Sequence, residues 1–128
     1  MNCSWIELET VLVIHDLQIR EHGGASGIGD LGLIESAVKK PKYLMAHSSP
    51  DIPELAASYA FGLTKNHGFL DGNKRTAYVV SRLFLRLQGW DFVVSPEKRV
   101  IVFENLGKGD ATLKGITRWF KENTQKII

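Results

Sequence analysis

Val79, Val80, Leu83, Phe84 and Leu87 recur at helical spacing between Asn73 and Gly89. Apolar residues three and four apart line one side of an α-helix. The apolar arc here is wide, which predicts a helix covered on most of its surface and central to the fold. Gly89 ends it. The same period, with similar punctuation, runs through the rest of the chain. Ser4 and Glu7 form a capping-box pattern around Trp5, Leu8, Val11, Leu12 and Ile14, and Gly23-Gly24 closes that segment after His22. Asp30 is placed to cap a second, short helix that runs to Lys40 and is halted by Pro41. Ser49 or Asp51 opens a third, carrying Ile52, Leu55, Tyr59 and Leu63 to about Asn66, with Ala56, Ala57 and Ala60 permitting close packing.

Ser95-Pro96-Glu97 is a cap, a first-turn proline and a first-turn acid, and predicts a helix to about Leu106. Gly107-Lys108-Gly109 is a turn, after which Asp110 is placed to cap a last helix bearing Leu113, Ile116, Trp119 and Phe120. Only Asp91 to Val94 reads as extended. The prediction is an all-α fold, a compact six-helix bundle with at most a short extended flap, formed by residues 1–128 as a single domain.

A chain of 128 residues can bury one core without cross-links. A net charge of +2 is too small to argue for a nucleic-acid or membrane surface. The lone Cys3 excludes an internal disulfide and any thiolate zinc cluster, and fits a reducing cytoplasm. Early acids, Glu7 and Glu9, and the lack of an apolar run argue against a secretory leader. No stretch approaches the roughly 20 apolar residues of a membrane span.

The chemistry is concentrated in His67-Gly68-Phe69-Leu70-Asp71-Gly72-Asn73-Lys74-Arg75-Thr76-Ala77. This run joins two predicted helices, so it ends at a helix N-terminus, where free N–H groups and the dipole favour an anion. Gly72 lets the backbone bend sharply or approach a ligand. Asn73, Lys74 and Arg75 add side-chain donors, and two cations at that end oppose the dipole unless an anion reconciles them. Arg75 can grip phosphate oxygens bidentately, and Lys74 acts as a mobile point charge. Asp71 can hold Mg²⁺, which binds through one or two carboxylates plus substrate phosphates. His67 is suited to take a proton from a hydroxyl nucleophile. Phe69 and Leu70 are expected to anchor the loop in the core.

This run resembles the signature of the Fic/Doc superfamily, written H-x-F-x-D-(A/G)-N-K-R-T-A in its Doc branch, and every defined position is matched. Upstream, His22-Gly23-Gly24-Ala25-Ser26-Gly27-Ile28-Gly29-Asp30, with Leu33-Ile34-Glu35-Ser36-Ala37 and Pro41, resembles the N-terminal segment of death-on-curing proteins. The resemblance covers nearly the whole chain and implies a Fic/Doc-type bundle. AMP-transferring Fic enzymes carry Gly where this chain has Lys74, and a second Arg where it has Tyr78. In the Doc branch the lysine goes with a reversed nucleotide pose that presents the γ-phosphoryl group. The resemblance therefore implies an ATP- and Mg²⁺-dependent protein kinase that modifies a threonine of elongation factor Tu and arrests translation. In that reading His67 is the general base, Asp71 positions Mg²⁺, and Gly72, Asn73, Lys74 and Arg75 bind the phosphates.

The inhibitory pattern of many Fic enzymes, (S/T)-x-x-x-E-(G/N), is not matched: Glu104-Asn105 and Glu122-Asn123 have Val100 and Arg118 at the Ser/Thr position. The resemblance thus implies restraint by a separate antitoxin, as in type II toxin–antitoxin pairs. Two alternatives stay open, an AMP-transferring nucleotidyltransferase and a protein-binding module whose catalysis has decayed. Blander readings accompany each residue. Asp71 and Asn73 can be helix caps, with phosphate-binding or loop-shaping roles for Asn73 close behind. Lys74 and Arg75 can be a solvated face, and Thr76 and Ala77 first-turn packing. Lys65 and Asn66 can shape the entrance to the motif. His15, His22 and His47 read as structural or exposed. Trp5, Trp90 and Trp119 read as core or rim aromatics, and Lys39-Lys40-Pro41-Lys42 as an exposed basic patch. Gly23 to Gly29 is either an ordinary interhelical loop or the flap that aligns a target peptide.

Overall fold

The computed structural model describes residues 2–128. Its order is α1 (Leu8–His22), α2 (Leu31–His47), α3 (Ile52–Asn66), α4 (Asn73–Leu87), β1 (Trp90–Phe92), α5 (Pro96–Gly107), α6 (Leu113–Asn123) and β2 (Thr124–Lys126). Six helices among the described residues, with two three-residue strands, make an all-α fold. β1 and β2 pair antiparallel, Trp90 opposite Lys126 and Phe92 opposite Thr124.

The centre is α3, not α4. Ten residues of α3 are buried, and it packs against α2, α4, α5 and α6. Its alanines leave no bulk to hold neighbours away, so it can be enclosed on every side. On α4, Val80 and Phe84 are buried, Val79 and Leu83 are half-buried and Leu87 is exposed. The wide apolar arc of α4 therefore spreads from core to rim.

Three expected boundaries moved. Ser4 and Glu7 form no capping box: α1 starts at Leu8, and the Glu7 side chain makes no cap bond. The preceding segment is instead tied across the molecule. The Ser4 amide donates to Gln88 Oε1, and the Ile6 amide donates to the Tyr59 hydroxyl. Pro41 does not halt α2, which runs on to His47 with Pro41 buried inside it. A mid-helix proline forfeits one backbone bond, and burial of its ring in the core offsets part of that cost. Asp110 is not the cap of α6. Thr112 is, accepting from the Gly115 amide at 3.0 Å, while the Asp110 amide completes the end of α5 on the Asn105 carbonyl. Asp30, Asp51 and Ser95 cap α2, α3 and α5 through their side chains.

No helix among the described residues is long and apolar enough to cross a membrane.

Candidate active site

α3 ends at Asn66 and α4 begins at Asn73, so residues 67–72 form the turn between two packed helices. His67 sits in the left-handed region, φ 49° and ψ 49°, the only non-glycine residue with positive φ among those described. That conformation turns the chain off the helix axis and leaves the imidazole exposed. Phe69 drops into the core, 2% exposed. Leu70 does not: it is 58% exposed and lies against the glycine segment, where a Cβ on Gly27 would be 3.2 Å from its Cδ1. Alternation along an extended loop sends neighbouring side chains to opposite faces, so only one of the two could reach the core.

The loop is held by residues distant in sequence. The His15 ring, on α1, stacks on the Phe69 ring at 3.7 Å between centroids, and its Nε2 donates to the Asp71 carbonyl at 2.8 Å. Gly72 has φ 75°, and a Cβ there would lie 3.1 Å from Ile19 Cδ1. The segment after α1 runs antiparallel to the loop. Gly29 and Asp30 donate to the Gly68 carbonyl at 2.8 and 2.9 Å, Leu70 donates to the Gly27 carbonyl, and Ile28 bridges Phe69. Asn66 adds a tie from the end of α3 to the Leu33 carbonyl on α2. The sequence marks His15 only as structural or exposed; its buried place beneath the loop needs the tertiary fold.

Asn73 is 5% exposed, and its amide bonds both sides of Phe69: Oδ1 accepts from the Phe69 amide and Nδ2 donates to the Phe69 carbonyl. This is the loop-shaping role weighed above. Asp71 does not cap α4, since the N-cap is Gly72. Asp71 Oδ1 accepts from the Gly72 amide at 2.8 Å and Oδ2 from the Ala25 amide at 3.2 Å. Those two backbone bonds, with Arg75 and His15 nearby, hold its carboxyl below the ordinary range, so it stands ionised and faces solvent. Gly24 leaves the room this requires, because a Cβ there would fall 2.6 Å from Asp71 Oδ2.

Thr76 carries the first amide of α4 with a backbone acceptor, the Gly72 carbonyl, and Thr76 and Ala77 are both fully buried packing residues. The start of α4 borders a cleft of about 530 Å³ lined by His67, Asp71, Gly72, Asn73, Lys74 and Arg75 together with Thr64, Glu104, Gly107 and Lys108. Arg75 also donates to the Gly23 carbonyl at 3.0 Å, tying α4 to the glycine segment. Lys74 pairs with Glu104 on α5 at 2.5 Å. The sequence raised Glu104 only as a failed match to the inhibitory pattern, and nothing in it pointed to Thr64. His22 and His47 are exposed and outside the cleft; His47 Nδ1 bonds the Tyr43 carbonyl of its own helix. No group of three or more His, Cys, Asp or Glu side chains that could hold a metal occurs among the described residues. A metal here would need oxygens from a ligand beside Asp71, which is how Mg²⁺ binds with phosphates.

The arrangement thus provides an exposed imidazole, an ionised carboxylate and an anion-favouring helix terminus with two cations around one cleft. A family profile described as the Fic/DOC family matches residues 5–85. The "Protein kinase doc" of Escherichia phage P1 is 34% identical over 93 residues, 72% of this chain and 74% of that protein. The "Toxin Doc" of Mycolicibacterium smegmatis is 35% identical over 88 residues, 67% of this chain and 65% of that protein.

Proposed function

The chain belongs to the Fic/DOC family, and we propose that it is a Doc-like toxin that transfers the γ-phosphoryl group of ATP to a threonine or serine hydroxyl of a translation factor. The carrying observation is the convergence of His67, Asp71, Lys74, Arg75 and the start of α4 on one cleft. His67 takes the proton of the target hydroxyl as its oxygen bonds to the γ-phosphorus and the bond to the ADP leaving group breaks. The first-turn amides of α4, with Lys74 and Arg75, hold the charge of the phosphate chain in place. Asn73 keeps the turn in shape, and Gly72 lets the backbone come close to the phosphates.

Asp71 fits Mg²⁺: its carboxylate is ionised, oriented by two amides and open to solvent. Bound Mg²⁺ would supply charge neutralisation for the phosphate chain. The segment Gly23 to Gly29, tied to the loop by backbone bonds at Gly27 and Gly29, is placed to lay a target peptide beside His67, which is the flap role. Elongation factor Tu is the target to try first. A relative named as a toxin supports a cognate antitoxin as the partner that restrains the chain in the cytoplasm.

The test is transfer of label from ATP to elongation factor Tu by the purified chain. Label from the γ position supports the proposal. Label from the α position alone would replace it with AMP transfer. His67→Ala that still arrests growth would replace it with a non-catalytic binding role.

A further inference from the structure

Lys74 is the residue whose position separates this signature from the AMP-transferring one, and it is occupied. Its Nζ lies 2.5 Å from Glu104 Oε1, a contact between helices thirty residues apart in sequence. One turn further along α5, a Cβ on Gly107 would come within 3.2 Å of Lys74 Cδ. The α5 backbone therefore bears on the lysine stem while Glu104 holds its head. The hydrogen bond and charge of Lys74, with Lys108 beyond, keep the Glu104 carboxyl below its ordinary range. The pair also forms the wall between the polar cleft and an apolar groove of about 440 Å³ containing Tyr78, Val79 and Phe103.

We propose that Glu104 is a counter-carboxylate for Lys74 which an incoming polyphosphate must displace, so that a residue on α5 sets how tightly the cleft takes phosphate. The inference rests on the cleft being a polyphosphate site. Two opposed effects decide its sign. Glu104 holds the lysine in place, which favours binding, and it occupies the ammonium that a phosphate needs, which opposes it. The ion pair is half-exposed at both ends, and such pairs contribute little. A phosphate chain carries several charges, so the second effect dominates. The displaced carboxylate, already 47% exposed, returns to water.

The experiment is equilibrium binding of inorganic tripolyphosphate, without divalent metal, to the full chain and to Glu104→Gln, Lys74→Met and the double variant. Glu104→Gln is expected to tighten binding about three- to tenfold, the scale of one screened charge near a protein surface. Lys74→Met weakens it. In the Lys74→Met background the gain from Glu104→Gln falls below about twofold, since no ammonium remains to be released. Unchanged or weaker binding by Glu104→Gln overturns the inference. So does an equal gain without Lys74, or tripolyphosphate binding to none of the four proteins. Glu104→Ala repeats the comparison should the glutamine variant fold poorly. γ-Label transfer by the same proteins separates this inference from the function. A sound binding cycle with no transfer sinks only the kinase reading. Transfer with a flat binding cycle sinks only the role of Glu104.

Discussion

His15 Nε2 donates to the main-chain oxygen of Asp71 at 2.8 Å, across fifty-six residues of sequence. A helix that carries no reacting group therefore sets the height of the loop that does. His15→Phe keeps the stacking on Phe69 and loses the hydrogen bond, and is expected to cost about 1 kcal/mol of stability. His15→Ala loses both and leaves a gap, for about 2–4 kcal/mol in all. In phosphoryl transfer both should lower kcat more than nucleotide KM, since the loop shifts relative to His67. Chemical denaturation alongside steady-state kinetics measures the two effects on the same samples.

His67 sits in a backbone conformation that costs an ordinary residue about 1 kcal/mol or more. His67→Gly relieves that strain, part of which returns as unfolded-state entropy. The variant should melt higher, by about 0.5–1 kcal/mol of stability, while losing transfer. His67→Ala should lose transfer without that gain. A glycine variant no more stable than the alanine one would show that the strain is absent.

Gly23 and Gly24 make a matched pair. A Cβ on Gly23 meets nothing within 4 Å, whereas one on Gly24 meets Asp71 Oδ2 at 2.6 Å. Both have positive φ, and Gly23 at ψ 177° lies in a region nearly reserved for glycine, so both alanine variants carry backbone strain of about 1–3 kcal/mol. Only Gly24→Ala should also push Asp71 out of place and weaken Mg²⁺-dependent nucleotide binding. Titration of Mg²⁺ at fixed nucleotide distinguishes them.

Asp71 is held ionised by the Gly72 and Ala25 amides. Its folded pKa lies below the ordinary 3.8, so its charge persists above that value and is lost only as pH falls through the lower folded one. Metal-dependent binding should therefore not decline through Asp71 anywhere above the ordinary carboxylate range. Asp71→Asn should remove the metal dependence at every pH, with far-UV circular dichroism unchanged. A wild-type loss of metal binding with a midpoint well above 3.8, shared by no other group in the cleft, would contradict the assigned state.

Asp91 on β1 accepts from Arg82 at 3.1 Å and Arg86 at 3.0 Å on α4. Burial alone would push its pKa up, but the Arg82, Phe92-amide and Arg86 hydrogen bonds outweigh it and bring the pKa down. Stability from this group is thus present above the unfolded pKa and is lost as pH falls through the folded one. Both arginines are well exposed, so Asp91→Asn should cost only about 1–2 kcal/mol at pH 7. The difference should close in strong acid, which urea midpoints at two pH values would reveal.

The helices were legible because an apolar period, a cap or a stop signal lies in their own residues. Asp30, Asp51 and Ser95 act locally on the next turn, and all three cap as expected. What failed depends on partners elsewhere. Ser4 is drawn to Gln88, eighty-four residues away, and Pro41 is tolerated because its ring is buried. β2 has too few residues for a period and exists only as the partner of β1. The site divides in the same way. Contiguous sequence identified His67, Asp71, Lys74 and Arg75 as neighbours of one cleft. The supports beneath them, His15 and Gly24, and the carboxylate that occupies Lys74 come from α1, the segment after it and α5, and local pattern carries no trace of such pairings.

The antiparallel stitching of Gly27–Asp30 onto Gly68–Leu70 has a consequence for how the chain matures. Both halves of that stitch must be synthesised, and α1 must dock, before His67 and Asp71 acquire their geometry. A chain in which the two segments have not yet joined therefore has no competent site, however much helix it has formed. The amide protons of Gly29 and Leu70 should then exchange only when the two segments part, and a ribosome-bound fragment ending before residue 68 should be harmless.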